Sequence, residues 1–460
     1  MTVRQSDEGE PMEKSKGKEL FSREDLKALL LPLFLEQALA VAIGMADTVM
    51  VASCGEASVS GVSLVDSISV LLIQVFAALA TGGAVVVSQY LGKRDRDQAI
   101  QAARHLYVIV ALVSLALMAL CLLGRNLILT GLFGGIEADV MEAARTYFLL
   151  MALSYPFLAI YNAGAALLRS VGDAKSSLYT SLLMNLVNVA GNALTIYGLG
   201  MGVMGAGLAT LISRMMGALV IQQPMRRPNA PMPFPDIRGL KWQQKMAGMI
   251  LSIGVPNGLE NGMFQFGKLI LVRMIATFGT ASIAANAVGN TLGTIHCLPG
   301  GAISLAMITV VGRCCGAHEF DQARSYTRRL MKTCYLIQGS LNLVILLLNP
   351  WIPMAFNLSP EASVLARWVI AIHGVGAITL WPLSFVLPNA LRAAGDARFT
   401  MIVSGVSMAA FRVIFGWLLG ARMGMGVIGV WVAMQIDWVF RIVMFVWRYR
   451  SGAWEAKTLM

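Results

Sequence analysis

Residues 168–175, Leu-Arg-Ser-Val-Gly-Asp-Ala-Lys, return almost unchanged as residues 391–398, Leu-Arg-Ala-Ala-Gly-Asp-Ala-Arg. A second pair of segments has nearly the same spacing, because Leu-Pro-x-x-x-Glu at 31–36 is matched 224 residues later by Val-Pro-x-x-x-Glu at 255–260. Such self-similarity in a very apolar chain is typical of membrane proteins that are built from two structural repeats. The sequence therefore predicts two similar halves.

The composition excludes an ordinary soluble protein. Of the 460 residues, 57% are hydrophobic and only 13% are charged, whereas soluble proteins carry about 25% charged residues. About 12 apolar segments are long enough, at ~20 residues, to cross a bilayer as helices, and they lack the alternation of a membrane barrel. We predict an all-α polytopic membrane protein with 12 transmembrane helices. They form two six-helix lobes related by a pseudo-twofold axis along the membrane normal.

The distribution of proline and of basic residues predicts the organisation of the chain. Five prolines and five Lys or Arg residues between positions 224 and 245 indicate a linker between the halves. We expect an N-terminal tail at 1–25, a first lobe at 26–223, a linker at 224–245, a second lobe at 246–448 and a C-terminal tail at 449–460.

Basic residues gather in the tails, the linker and alternate loops, to which we also assign Arg169 and Arg392. The positive-inside rule then predicts that both termini are cytoplasmic, in a multi-pass protein of the plasma membrane. The net charge of +11 thereby reflects topology in the lipid bilayer, and no nucleic-acid partner is expected.

No segment carries the signature of an enzyme or of a metal site. The six cysteines form no C-x-x-C pair, and the chain contains no P-loop, no H-E-x-x-H and no G-x-S-x-G motif. We therefore expect no catalysis and no cofactor, and an ion gradient rather than bound ATP as the source of energy.

The two halves diverge at three polar positions inside predicted spans. Asp47 corresponds to Leu271 in the second half, while Asn188 and Asn192 correspond to Arg412 and Gly416. An Asp within the membrane costs roughly 2.5–3.5 kcal/mol on insertion scales and usually faces a cavity. Carboxylate and carboxamide oxygens suit Na⁺ or a bound proton. The alternative is that these side chains only join helices by hydrogen bonds.

Several other polar residues lie within the predicted spans. Glu36 lies 11 residues before Asp47 and is either a second proton site or a structural residue, since Glu260 repeats it. Asp66 is interpreted as a residue at a helix start. We expect His296 and His373 to be hydrogen-bonded, and Asp437 to pair with Arg441, four residues later.

The candidate lining of a substrate cavity combines charged and aromatic side chains. Glu260 and Lys268 are eight residues apart on one predicted helix, so both can face a cavity, and Arg412 adds a positive charge. Tyr155, Tyr161 and Trp381 could stack on an aromatic cation. These six residues complete the predicted cavity.

Four motifs carry a resemblance to a known family. They are Gly-Met-Ala-Asp-Thr-Val-Met-Val at 44–51, Ser-Gln-Tyr-Leu-Gly at 88–92, Leu-Arg-x-x-Gly-Asp at 168–173 and Asn-x-x-x-Asn at 188–192. Together with the two-by-six arrangement over about residues 25–450, they make the chain resemble the multidrug and toxic compound extrusion (MATE) family.

The resemblance implies two lobes around a central cavity and the export of organic, often cationic, drugs in exchange for H⁺ or Na⁺. It implies that Asp47, Asn188 and Asn192 match the cation site of the first lobe, with Thr210 as a further candidate ligand. The chain departs from one branch of the family, which has a second-lobe Asp at the position of Trp381. Coupling is therefore expected to rest on the first lobe.

The sequence thus predicts a monomeric, ion-coupled exporter of small amphipathic organic compounds, in which the ion competes with substrate at Asp47. One alternative is a lipid-linked oligosaccharide flippase of the same superfamily, because Lys268, Arg273 and Arg412 could form a cationic cavity. Another is a membrane receptor or scaffold that transports nothing, although such a protein has no need of Asp47 among the asparagines.

Overall fold

The computed structural model describes residues 19–459, which are mostly helical and contain no β-strand. Residues 1–18 and Met460 lie outside the described residues. The predicted N-terminal tail is therefore described only from Glu19, and the predicted C-terminal tail only as far as Leu459.

The first lobe is a bundle of long helices with one short helix. Its elements are α1 (Arg23–Ala52), α2 (Glu56–Gly92), α3 (Arg96–Leu123), the short α4 (Arg125–Phe133), α5 (Ala138–Ser170), α6 (Ala174–Asn192) and α7 (Gly202–Val220). α6 continues directly into a π-helix at Ala193–Gly198.

The second lobe repeats this order with more interruptions. Its elements are α8 (Gln244–Ala276), α9 (Thr280–Gly316), α10 (Phe320–Leu348), the short α11 (Ile352–Ala355), α12 (Pro360–Thr379), α13 (Leu387–Ala393), α14 (Ala397–Ser407), α15 (Phe415–Trp417) and α16 (Gly426–Arg450). A π-helix at Pro382–Val386 joins α12 to α13. Two more, Met408–Ile414 and Leu418–Arg422, flank α15.

Ten helical segments of residues 19–459 are long and apolar enough to cross a membrane. The other two of the 12 predicted spans are α6 and α8, which are less apolar because they carry the polar candidates. Asn188 and Asn192 lie on α6, and Glu260 and Lys268 lie on α8. The two spans with the weakest membrane signal are therefore those that bring polar groups into the protein interior.

The repeated Leu-Arg-x-x-Gly-Asp motif forms a tight turn in both lobes. Gly172 and Gly395 have φ of 90° and 103°, a conformation that favours glycine because it has no Cβ. Asp173 caps α6 by accepting a hydrogen bond from the Ser176 amide at 3.0 Å. Asp396 instead pairs with Arg448 at 2.7 Å. The motif thus ends one span and begins the next.

The first helix of each lobe begins against the core of the other lobe. Leu26, Leu29 and Leu33 of α1 are buried in the apolar cluster of the second lobe. Met246 and Ile250 of α8 are buried in that of the first lobe. This exchange joins the lobes across their shared boundary.

Both ends of the described chain lie at one face of the protein, which we call the terminal face. The Leu20 amide donates to Gln322 at the start of α10, and the Leu459 amide donates to Gln89 near the end of α2. Trp454, beyond the end of α16, is fully buried. The C-terminal segment therefore packs into the protein.

The two lobes are in contact at the terminal face. Gln89 Nε2 donates to the Ala393 carbonyl at 2.7 Å, and Arg313 Nη2 donates to the Ser170 carbonyl at 2.6 Å. The ends of α2 and α9 meet at Gly92 and Gly316, where an added Cβ would collide with backbone carbonyl atoms of the opposite helix. These contacts close the boundary between the lobes at this face.

Candidate functional site

A cavity of about 510 Å³ lies inside the first lobe among α1, α2, α5, α6 and α7. We call it the first-lobe cavity. Its polar lining includes Glu36, Asp47, Asp66, Asn188, Thr210 and Arg214.

A chain of hydrogen bonds joins three helices at this cavity. Asn192 Nδ2 donates to Asp47 Oδ1. The same amide group lies 3.5 Å from Asn188 Oδ1, and Asn188 Nδ2 donates to Thr210 Oγ1 at 3.2 Å. The tertiary structure thereby brings together the four residues that the resemblance assigned to the cation site, although Asp47 and Asn192 are 145 residues apart in the chain.

The arrangement leaves one buried oxygen atom without a hydrogen-bond partner within residues 19–459. Asn192 is fully buried, and its Oδ1 atom makes no hydrogen bond within residues 19–459. The π-helix begins at Ala193, directly after it, and such segments are frequent at functional sites because they shift the helical register. The Asp47 carboxylate and this amide oxygen are both hard oxygen ligands, the type that binds hard cations.

Two lining residues were not selected from the sequence. Asp66 was interpreted as a helix-start residue, yet it lines the first-lobe cavity with Asp47. Arg214 of α7 also lines it and donates to Ser154 Oγ at 2.6 Å. Each is a charged residue within a predicted span, and that alone is a signal of function. Arg214 corresponds to Trp438 at the 224-residue offset, so the asymmetry of the halves could have identified it.

Glu36 and Glu260 share one arrangement in the two lobes. Glu36 accepts a hydrogen bond from Ser177 at 3.1 Å and lies 3.8 Å from Arg169. Its repeat Glu260 accepts from Ser404 at 2.7 Å and pairs with Arg392 at 2.7 Å.

The loop assignment of the two arginines is wrong. Arg169 lies in the last turn of α5 and Arg392 in that of α13, and their carboxylate partners hold them in the protein interior. The repetition favours a shared structural role for the two glutamates, although Glu36 also lines the first-lobe cavity.

Glu260→Gln is expected to destabilise the protein by roughly 3 kcal/mol, because it leaves the buried Arg392 without a counter-ion. The check is the midpoint of thermal unfolding in detergent, which should fall by several degrees. Glu36→Gln is the matched comparison, and its effect should be smaller because the Glu36–Arg169 pair is longer. Equal midpoints for the Glu260 variant and the wild type would contradict a structural role.

The second lobe contains a cavity of about 280 Å³, lined by Lys268, Asn286, Arg412 and Trp431 among others. We call it the second-lobe cavity. Lys268 also lines an adjoining cavity of about 310 Å³, together with Glu260, Arg392 and Arg441.

Asp437 forms ion pairs with two arginines of the second lobe. Its Oδ1 atom lies 3.2 Å from Arg441 Nε, which confirms the predicted pair, and its Oδ2 atom lies 3.3 Å from Arg412 Nε. Arg412 thus shares its counter-ion with Arg441.

The aromatic and histidine candidates occupy different environments. Tyr161 lines the first-lobe cavity, but Tyr155 does not, since its ring is fully buried and its hydroxyl lies 3.1 Å from Ser69 Oγ. Trp381 stacks on Phe385 with ring centroids 5.1 Å apart. His296 and His373 form a buried pair through their Nδ1 atoms at 2.7 Å.

Comparisons with known proteins agree with the repeat and the fold. The family model MatE matches residues 32–194 and 256–418, and the two matches begin 224 residues apart, which is the offset of the sequence repeat. The chain is 28% identical to "Uncharacterized transporter YisQ" of Bacillus subtilis, over 94% of this chain and 95% of that protein. It is 25% identical to "Probable multidrug resistance protein NorM" of Thermotoga maritima, over 95% and 94%.

A solved structure also has this fold. It is the outward-facing conformation of a multidrug resistance MATE family transporter of the MOP superfamily, with a TM-score of 0.85 and 21% identity. The similarity covers 94% of this chain and 96% of that one. Because the family model matches more than half of the chain, once in each lobe, this multi-pass membrane protein belongs to the MatE family, the multidrug and toxic compound extrusion transporters.

Proposed function

We propose that this transporter is a secondary active antiporter that exports amphipathic organic compounds, often cationic, in exchange for H⁺ or Na⁺. As a member of its family it is a transporter and not an enzyme. The observation that carries the proposal is the hydrogen-bonded chain Asp47–Asn192–Asn188–Thr210 at the first-lobe cavity. Relatives with names that refer to multidrug resistance support the substrate class.

In the proposed mechanism, ion and substrate compete for the first-lobe cavity. Its volume of about 510 Å³ suits a small organic molecule, and its carboxylates attract a cation. A proton or Na⁺ on Asp47 cancels the negative charge there and weakens the binding of a cationic substrate. The ion drives transport because it binds one conformation of the two lobes more tightly than the other.

We further propose that the terminal face is cytoplasmic and that the protein works as a monomer in the plasma membrane. The Lys and Arg residues of the tails and the linker support this orientation, because the positive-inside rule counts basic residues and not net charge. The contacts between Gln89 and Ala393 and between Arg313 and Ser170 then close the cytoplasmic side. We therefore propose an outward-facing state, because the lobes are closed on the side that we assign to the cytoplasm.

Efflux of a fluorescent cation from vesicles reconstituted with the protein tests this function. A proton gradient and a sodium gradient are imposed separately, and each is compared with vesicles at equilibrium. We expect one of the two gradients to accelerate transport and thereby to identify the coupling ion. Transport that neither gradient changes would exclude ion-coupled antiport.

A further inference from the structure

Three positive side chains of the second lobe surround one aromatic ring. Lys268 Nζ lies 5.1 Å from the centroid of the Phe264 ring, while the Cζ atoms of Arg412 and Arg441 lie 5.0 and 5.8 Å from it. Rings attract cations through their faces, but one ring stabilises such a contact only by about 0.5–2 kcal/mol. The cluster therefore needs negative charge from elsewhere.

The described residues supply less negative charge than the cluster requires. Asp437 is the counter-ion of both Arg412 and Arg441, and Glu260 is paired with Arg392. Lys268 makes no salt bridge within residues 19–459. Four cations thus line the second-lobe cavity and the adjoining cavity, and their two carboxylate partners are Glu260 in the lining and Asp437, which is not in the lining.

Arg412 is not satisfied by its neighbours. Only 3% of this residue is exposed, and its Nε atom makes no hydrogen bond within the described residues. Its contact with Asp437 at 3.3 Å brings opposite charges together without the geometry of a hydrogen bond. Buried guanidinium groups are normally hydrogen-bonded, because desolvating them is costly. Arg412 lines the second-lobe cavity, so a partner can reach it from there.

We propose that the second-lobe cavity binds the anionic group of an amphipathic molecule, with Lys268 and Arg412 as the residues that hold it. A carboxylate, sulfonate or phosphate suits these donors, because a guanidinium forms paired hydrogen bonds to two oxygens of one such group. The proposal deepens and rests on the proposed transport function, since it names a substrate class for the second lobe.

The rest of the lining fits the apolar part of such a molecule. Leu271, Val272, Ile275, Val430, Trp431 and Met434 surround the two basic residues. A small inorganic anion would leave this apolar surface in contact with water, whereas an amphipathic anion covers it. The first-lobe cavity has the opposite character, since the carboxylates of Glu36, Asp47 and Asp66 outnumber the one cation in its lining, Arg214. The lobes therefore prefer groups of opposite charge.

Two dyes that share one chromophore and differ in one carboxylate test the site. Rhodamine B carries a free carboxylate, and in its ethyl ester that carboxylate is blocked. Binding of each dye to the full-length protein in nanodiscs is measured by fluorescence anisotropy without any gradient. We expect Lys268→Gln to weaken the binding of rhodamine B about tenfold, because a charge-assisted contact is lost. Binding of the ester should not weaken, since the substitution removes a repulsion.

The control variant removes a positive charge from the same helix. Arg273 is exposed in the last turn of α8, five residues beyond Lys268, and it lines neither second-lobe cavity. Five residues correspond to a rotation of about 140°, so its side chain leaves the helix on another side. Arg273→Gln should leave the binding of both dyes unchanged, and Lys268→Arg should restore the binding of rhodamine B.

A second arm distinguishes a free organic anion from a lipid phosphate. Translocation of fluorescent phosphatidylglycerol and of fluorescent phosphatidylcholine is measured in vesicles. If Lys268→Gln weakens the binding of rhodamine B, the site holds a soluble anion. If it slows only the translocation of phosphatidylglycerol, the site holds a lipid headgroup.

Equal effects of Lys268→Gln on both dyes and both lipids, or none at all, would overturn the proposal. The dye measurement needs no gradient, so it tests the site even if ion-coupled efflux fails. If instead the antiport proposal is wrong, neither a proton gradient nor a sodium gradient will accelerate efflux of the rhodamine B ethyl ester.

Discussion

Asp47→Asn is expected to abolish gradient-driven efflux while leaving the protein folded in the membrane. Asparagine has nearly the shape of aspartate, and its side-chain oxygen can still accept the hydrogen bond from Asn192. It can neither take up a proton nor supply the negative charge that attracts Na⁺. We expect the acceleration by the gradient to fall at least about tenfold, which corresponds to the loss of one charged ligand.

The measurement is efflux of a cationic dye from vesicles at a fixed gradient, with the amount of folded protein determined by size-exclusion chromatography. Thr48→Val is a matched control, because Thr48 is the next residue and, within the described residues, its hydroxyl donates only to the Gly44 carbonyl of its own helix. The control should respond to the gradient like the wild type. Undiminished efflux by the Asp47 variant would refute the coupling role of this carboxylate.

Gly316→Ala is expected to force the lobes apart at the terminal face. An added Cβ at Gly316 would overlap the backbone carbonyl of Gln89 on α2, and a backbone atom cannot rotate away as a side chain can. Overpacking of this kind costs about 1–3 kcal/mol. The energy penalises only the conformation in which α2 and α9 touch, so the population of that conformation should fall roughly tenfold.

Distances between spin labels at Lys175→Cys and Arg398→Cys, measured by electron paramagnetic resonance, report on this change. Both positions are exposed and occupy equivalent turns in the two lobes. Cys54 and Cys297, which are partly exposed, would be replaced by Ser so that they are not labelled as well. Gly339→Ala is the control, because an added Cβ there meets no atom of residues 19–459 within 4 Å. We expect longer distances only for the Gly316 variant. If the Gly316 variant shows the same distance distribution as the wild type, the contact between α2 and α9 at Gly316 does not determine whether the terminal face is closed.

The sequence predicted the large-scale architecture because the relevant signals are local or periodic. Helices in a bilayer must satisfy their own backbone hydrogen bonds, so an apolar segment of sufficient length is enough to identify a span. The two spans that are less apolar, α6 and α8, were predicted in the same way, from apolar segments of sufficient length. The repeated Leu-Arg-x-x-Gly-Asp motif located equivalent turns, as the positive φ of Gly172 and Gly395 confirms.

The candidate residues were predicted in part. The asymmetry of the halves selected Asp47, Asn188 and Asn192, but it could not show that Asn192 contacts Asp47 while Asn188 contacts Thr210. Charge counting along the sequence assigned Arg169 and Arg392 to loops, because it cannot detect a carboxylate partner more than 130 residues away.

By itself, the sequence determined the membrane environment, the two halves and the residues that make the halves unequal, since these depend on composition and on order along one chain. Only the tertiary structure decided which polar groups share a cavity, which charges are compensated and at which face the lobes meet. Electrostatic and packing energies depend on distances between atoms, and helices brought together from distant parts of the chain set those distances.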